Sequence, residues 1–127
     1  MMSKLFIVEG RNAPKINFDP EAGKFEISGR SYPESAERFY KVPLQWLKKY
    51  SEEGEPKDIE VKLKFEFISS ASVISMLQLL KVMDQLRAKG FNVNVKWYLQ
   101  DDDDDIKVTG ESLESLCGQL VFEYITE

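Results

Sequence analysis

From Ile59 onward, apolar residues fall on every second position. Ile59, Val61, Leu63, Phe65 and Phe67 alternate with Glu60, Lys62, Lys64 and Glu66. Period two marks a strand with one buried face, so these five apolar residues are its predicted inward side. The pattern breaks at Ser69-Ser70-Ala71-Ser72, and from Val73 a helical spacing takes over through Met76, Leu77, Leu80 and Met83. Gly90, just after Lys89, stands where a helix commonly ends. Phe91, Val93, Val95, Trp97 and Leu99 then alternate with Asn92, Asn94, Lys96 and Tyr98 as a second strand. Strand, helix and strand in this much chain predict a right-handed parallel βαβ unit.

The flanking segments are shorter. Leu5 to Val8 reads as a first strand segment, and Gly10 to Pro14 as a break. Ile16 and Phe18, then Phe25 and Ile27, flank Asp19-Pro20-Glu21-Ala22-Gly23, which predicts a β-hairpin. Gly29 to Pro33 reads as a loop. A helix follows, with Ser31 or Ser35 as its cap and with Phe39, Val42, Trp46, Leu47 and Tyr50 along it. Pro43 is expected to kink or divide that helix. Ser51 to Lys57 is a polar loop, and the five aspartates Asp101 to Asp105 read as a solvated loop. Gly110-Glu111-Ser112 is the expected start of a short helix with Leu113, Leu116 and Cys117, ended by Gly118; Val121 to Ile125 is a last strand. Trp46, Trp97 and Cys117 lie in phase with apolar neighbours and are expected in the core.

A parallel strand covered on both faces reads as a continuous apolar run. Both central strands alternate instead. The expected fold is therefore α/β (α+β), a mixed sheet with helices on one face and an open, charged face on the other. That open face is either solvent surface or a partner surface. Neither an internal repeat nor a linker divides the 127 residues, so one domain over 1–127 is expected.

Composition then narrows the function classes. Hydrophobic residues make up 43% and charged residues 31%, the balance of a globular protein. No stretch approaches the roughly 20 apolar residues of a membrane helix. Met1 to Gly10 lacks the pattern of a secretory signal, and the single cysteine, Cys117, fits a reducing cytosol, so a cytoplasmic location is expected. A net charge of −5 argues against nucleic acid as a partner. The chain has no histidine, which removes the commonest general base and the commonest metal ligand together. The aspartate run lacks the spaced ligands, central glycine and terminal glutamate of an EF-hand. We therefore expect no enzyme, no metal site and no cofactor.

The hydroxyls at the strand-to-helix turn are the candidate chemistry. Ser69, Ser70 and Ser72 stand at a helix start, where backbone N–H groups are unpaired and negative charge is favoured. A plain N-cap is one reading of these serines. A nucleophile elbow would need glycines where Ile68 and Ala71 stand, and no histidine is present to activate a serine. Phosphorylation is the other reading, because a kinase brings its own chemistry.

Pro14 to Phe18 with the Asp19-Pro20 turn, Ile27-Ser28-Gly29, Ser31-Tyr32-Pro33-Glu34, Phe67 to Ser72, Trp97-Tyr98 with the acidic run, Gly110-Glu111 and Phe122 occur in an order and spacing that resembles the SiaC family of regulatory phosphoproteins. The resemblance runs from about Ala13 to Phe122. It implies a fold similar to the STAS domain of anti-sigma-factor antagonists. It also implies a role: reversible phosphorylation of a threonine in an Asn-Thr-Ser-Ser motif at a helix start, by a partner kinase, with removal by a PP2C-type phosphatase. The unmodified form would bind and activate a diguanylate cyclase, linking the switch to cyclic-di-GMP and biofilm behaviour in bacteria. Here the motif falls on Ser69-Ser70-Ala71-Ser72, so Ser70 takes the threonine's place as phosphoacceptor, with Ser69 and Ser72 as alternates. Ser69 replaces the asparagine and Ala71 the first of the two motif serines. Ser31 and Tyr32, with Ser69, Ser70 and Ser72, are the residues expected at the partner surface. A constitutive binding module that kept the fold and lost the switch is the alternative.

Overall fold

The computed structural model describes residues 2–127; Met1, with which the N-terminal segment begins, lies outside them. The elements follow in the order β1 (Leu5–Ile7), β2 (Lys15–Asp19), β3 (Lys24–Ser31), α1 (Ala36–Glu53), β4 (Asp58–Ile68), α2 (Ser70–Ala88), β5 (Asn92–Leu99), α3 (Asp104–Leu116) and β6 (Phe122–Thr126). The six strands form one sheet in chain order. The pairs β1–β2 and β2–β3 are antiparallel, and β3–β4, β4–β5 and β5–β6 are parallel. A short turn suffices for each antiparallel step, whereas each parallel step needs a crossover, and the three helices supply these.

The registers line up two rows of apolar side chains across all six strands. One runs Leu5, Phe18, Phe25, Val61, Val95, Phe122; the next runs Ile7, Ile16, Ile27, Leu63, Trp97, Tyr124. Burying these rows drives the fold. They are covered by Tyr40, Leu47 and Tyr50 of α1, by Met76, Leu80 and Met83 of α2 and by Ile106 and Leu113 of α3, all buried. The helices pack side by side, α1 on α2 and α2 on α3. Among the described residues no helix covers the opposite face. Its side chains pair across strands, with Lys15 on Glu26 at 3.3 Å, Lys64 on Glu127 at 2.8 Å and the Lys62 ammonium 5.0 Å from the Tyr98 ring centre.

The end of α2 satisfies its last carbonyls through Gly90, at φ 105°. The Gly90 N–H donates to the Arg87 carbonyl, and the Phe91 N–H to the Leu86 carbonyl. This is a Schellman closure, with Leu86 and Phe91 both buried. It turns the chain directly into β5.

Several expectations are corrected. β3 continues through Gly29 to Ser31, where a loop is expected, because its pairing with β4 persists past a register shift at Gly29/Arg30. That shift puts Glu66 in a bulge, and a bulge reverses the alternation beyond it. Phe65 is therefore buried, while Phe67 turns out of the core and is 49% exposed. Ser31 caps nothing; Ser35 caps α1, its hydroxyl accepting the Arg38 N–H at 3.3 Å. Pro43 does not divide α1, which runs through it unbroken with the proline ring buried. The buried face of α1 is Ala36, Tyr40, Pro43, Leu47 and Tyr50, so Val42 points to solvent. α3 begins six residues before the expected start at Gly110, because the Asp103 carboxylate accepts the Ile106 N–H at 3.0 Å and caps it. The aspartate run is thus partly a helix start, with Asp104 and Asp105 favourably placed on its dipole. Trp97 and Cys117 are buried as expected. Trp46 is half-buried, stacked at 13° on Tyr50, and its indole N–H donates to the Ser3 carbonyl.

Candidate functional site

β4 gives way to α2 over a single residue. Ser69 is extended, at φ −74° and ψ 160°, and Ser70 is the first helical residue. The reason lies in Ser69 itself. Its Oγ accepts the Ser72 N–H at 3.2 Å, which satisfies one of the helix's unpaired donors. Its own N–H donates to the Ser31 carbonyl at 2.8 Å, tying the helix start to the end of β3.

Beneath the turn lies a line of hydroxyls running from half-buried Ser69 to buried Ser72, Ser31 and Tyr40. Ser69 Oγ donates to Ser72 Oγ at 3.0 Å, Ser31 Oγ donates to Ser72 Oγ at 2.9 Å, and Ser31 Oγ lies 2.6 Å from the Tyr40 hydroxyl. A serine has one hydroxyl proton, and that of Ser31 goes to Ser72. The proton between Ser31 and Tyr40 is therefore the phenol's. Burial pushes the Tyr40 phenol up to about 12, so this donor keeps its proton at physiological pH. The line joins α1, β3 and α2.

These contacts sort the expected site residues. Ser31 and Ser72 have 0% exposure, so neither presents a side chain to a partner; they hold the turn from below. Ser69 is half-buried as the cap. Ser70 is exposed, and its hydroxyl makes no hydrogen bond among the described residues. It stands at the positive end of the 19-residue α2, whose first turn carries no acidic residue.

Tyr32 is half-buried beside the turn. Its N–H donates to the Asn12 carbonyl at 2.8 Å, its ring meets Phe67 edge to face at 5.4 Å, and the Arg30 guanidinium lies over it at 5.5 Å. Phe67 and Ile74 add exposed apolar surface, Ile74 at 65% and one helical turn beyond Ser70. Next to Ala71 and Ile74, a groove of about 500 Å³ runs between α1 and α2 past Tyr40, Lys41 and Leu44.

Sequence reasoning missed Tyr40 and the outward turn of Phe67. Tyr40 was findable: Ala36, Tyr40, Pro43, Leu47 and Tyr50 keep helical spacing once Pro43 is allowed on the buried face. The bulge that turns Phe67 outward has only Gly29 as its trace in the sequence. Among the described residues no three histidine, cysteine or carboxylate side chains gather as a metal site would require, and no helix is long and apolar enough to cross a membrane.

Comparison with known proteins places the fold and the family. A model of the family described as SiaC family regulatory phosphoprotein matches residues 7–127. An uncharacterized protein of Pseudomonas aeruginosa strain UCBPP-PA14 is 22% identical over 116 residues, 91% of each chain. The crystal structure of apo-SiaC from Pseudomonas aeruginosa superposes with a TM-score of 0.82 at 22% identity, over 99% of both chains. SiaC in complex with the diguanylate cyclase SiaD, described there as its activator, superposes with a TM-score of 0.87 at 20% identity, over 97% of this chain and 99% of that one.

Proposed function

The chain belongs to the SiaC family of regulatory phosphoproteins, and on that footing we propose that it is a non-catalytic, cytoplasmic signalling protein that docks on a diguanylate cyclase through the surface around Ser70 and is released when Ser70 is phosphorylated. The observation that carries this reading is the state of that hydroxyl: exposed, unbonded and at a helix start. The cyclase enters through the similar SiaC, whose solved complex is with SiaD. The kinase and PP2C-type phosphatase enter through the family resemblance, as does the link to biofilm behaviour.

The chemistry asks little of this chain. A kinase deprotonates the Ser70 hydroxyl, a new Oγ–P bond forms, and the bond from the γ-phosphorus of a nucleoside triphosphate to its bridging oxygen breaks, the nucleoside diphosphate leaving with the electron pair. The product carries roughly −1.5 to −2 charge at the end of α2. The helix dipole favours that charge, so the fold keeps its stability. A docked partner is affected differently. A doubly charged group beside Ala71, Ile74 and Phe67 would have to lose its water under the partner, a cost of several kcal/mol unless paired. Phosphorylation thus acts at the interface and spares the core.

The test compares cyclase binding by the wild type, Ser70→Ala and Ser70→Asp. Ser70→Ala is expected to bind as the wild type does, and Ser70→Asp more weakly. Equal binding by all three rules out the switch. The competing reading, a constitutive binding module, rests on the two motif departures at Ser69 and Ala71. Intact mass of the protein from its own cells separates the two, since a phosphate mapped to this turn excludes the constitutive module.

A further inference from the structure

The turn offers three serines within four residues, and a phosphoryl acceptor needs an accessible oxygen, a free lone pair and a proton that can pass to a base. Ser72 fails the first two requirements. It has 0% exposure, and its oxygen already accepts from Ser69 at 3.0 Å and from Ser31 at 2.9 Å. Ser69 is constrained by the same residue twice over. Its oxygen accepts the Ser72 N–H, and its proton points at the Ser72 oxygen. Only Ser70 meets all three.

We infer that buried Ser72 selects the phosphoacceptor: its hydroxyl, held from the core side by Ser31, takes the Ser69 proton and leaves Ser70 as the one free nucleophile of the turn. This rests on the phosphorylation reading above and adds a specificity-determining residue to it. Ser31 donates to the Ser72 oxygen and itself accepts from Tyr40, so the Ser72 oxygen is held from the core side by a buried donor. Ser69 can break away only by giving up its cap or by leaving its proton without an acceptor. The arrangement suits a segment in which serine stands at the position before the acceptor, because a second hydroxyl there would otherwise compete.

Phosphosite mapping by mass spectrometry tests this, on protein taken from its own cells as wild type, Ser72→Ala and Tyr40→Phe. Thermal melts establish that each variant is folded. The wild type is expected to carry phosphate on Ser70. Ser72→Ala frees the Ser69 proton and is expected to raise the ratio of Ser69 to Ser70 phosphate about tenfold, the factor that one lost hydrogen bond commands. Tyr40→Phe loosens the same region but keeps the Ser69–Ser72 bond, and is expected to leave the ratio unchanged. Should Ser72→Ala fail to fold, Ser72→Cys, a weaker acceptor of similar size, is expected to raise the ratio in the same direction. An unchanged ratio in the folded Ser72 variant, an equal rise in Tyr40→Phe, or more phosphate on Ser69 than on Ser70 in the wild type overturns the inference and leaves the switch standing. Absence of phosphate from all three serines overturns the switch and this inference with it.

Discussion

A Cβ built on Gly110 would stand 2.6 Å from Nε1 of Trp97. Trp97 is wholly buried in the middle of β5, and its indole N–H donates to the Ile106 carbonyl at 2.9 Å, one turn before Gly110 on α3. The missing side chain is what lets the helix lie flat on the ring. Two effects compete when Gly110→Ala is made. Alanine favours a helix over glycine by up to about 1 kcal/mol. Overpacking a buried site costs about 1–3 kcal/mol, and here the obstacle is a rigid ring. The expected outcome is a net loss of about 1–2 kcal/mol in urea unfolding, with a change in Trp97 fluorescence. A gain in stability would show that α3 shifts freely over the sheet.

That pair also shows what the sequence disclosed and what it hid. The alternations at Ile59 to Phe65 and at Val93 to Trp97 are long and clean, so both strands, their buried faces and the helix between them were legible. The exposed hydroxyl at Ser70 follows from the same signal, since the change of period from two to 3.6 falls on it. Gly110 misled because glycine reads as a breaker, and only the indole across the interface explains a glycine inside a helix. Pro43 misled for a similar reason: burial of both flanking turns outweighs one absent backbone hydrogen bond. Phe67 was lost to a bulge, which depends on how β3 meets β4 and not on either strand alone. Ser31 and Ser72 looked like surface residues because serine usually is one; their burial depends on having each other and Tyr40 as partners. Pairings across elements were what the sequence could not show.

The Tyr40 hydroxyl yields a prediction at alkaline pH. Its folded value, about 12, lies above the ordinary 10.0, chiefly through burial. A raised value means that folding favours the protonated form. The associated stability is fully present below pH 10 and is lost as pH rises through the folded value. Tyr40→Phe lacks both the hydrogen bond to Ser31 and this titration. At pH 8 the variant is expected to be less stable than the wild type by about 1–2 kcal/mol, the usual result of leaving a buried acceptor unpaired. The gap should narrow steadily above pH 10. Urea unfolding of both proteins from pH 8 to 11 measures it, and a gap that stays constant would mean that the phenol is free to ionise in the folded chain.

Asp84 makes the complementary prediction in acid. Its Oδ1 accepts from the Arg87 guanidinium at 2.9 Å and from the Gln119 N–H at 3.0 Å, linking α2 to the loop that leads into β6. Burial works to raise its carboxyl, but these two hydrogen bonds and the charge of Arg87 prevail and hold it below the ordinary 3.8. A depressed value means that folding favours the ionised form. The stability it contributes is present above pH 3.8 and is lost as pH falls through the lower, folded value. Asp84→Asn keeps an oxygen for Gln119 but removes the charge that Arg87 meets. The variant is therefore expected to be less stable than the wild type at pH 7, and the difference should shrink as both are taken into acid below the ordinary value. Glu26, where burial is outweighed by the Ser28 hydroxyl and Lys15, and Glu60, bonded by Lys96, are also held low, so the wild type will lose stability in acid for other reasons too. The difference between the two proteins isolates Asp84, because those carboxylates are common to both. Melting temperatures recorded from pH 7 to pH 3 provide the comparison. If the difference persists undiminished into acid, the link from α2 to β6 rests on the shape of the side chain and not on its charge.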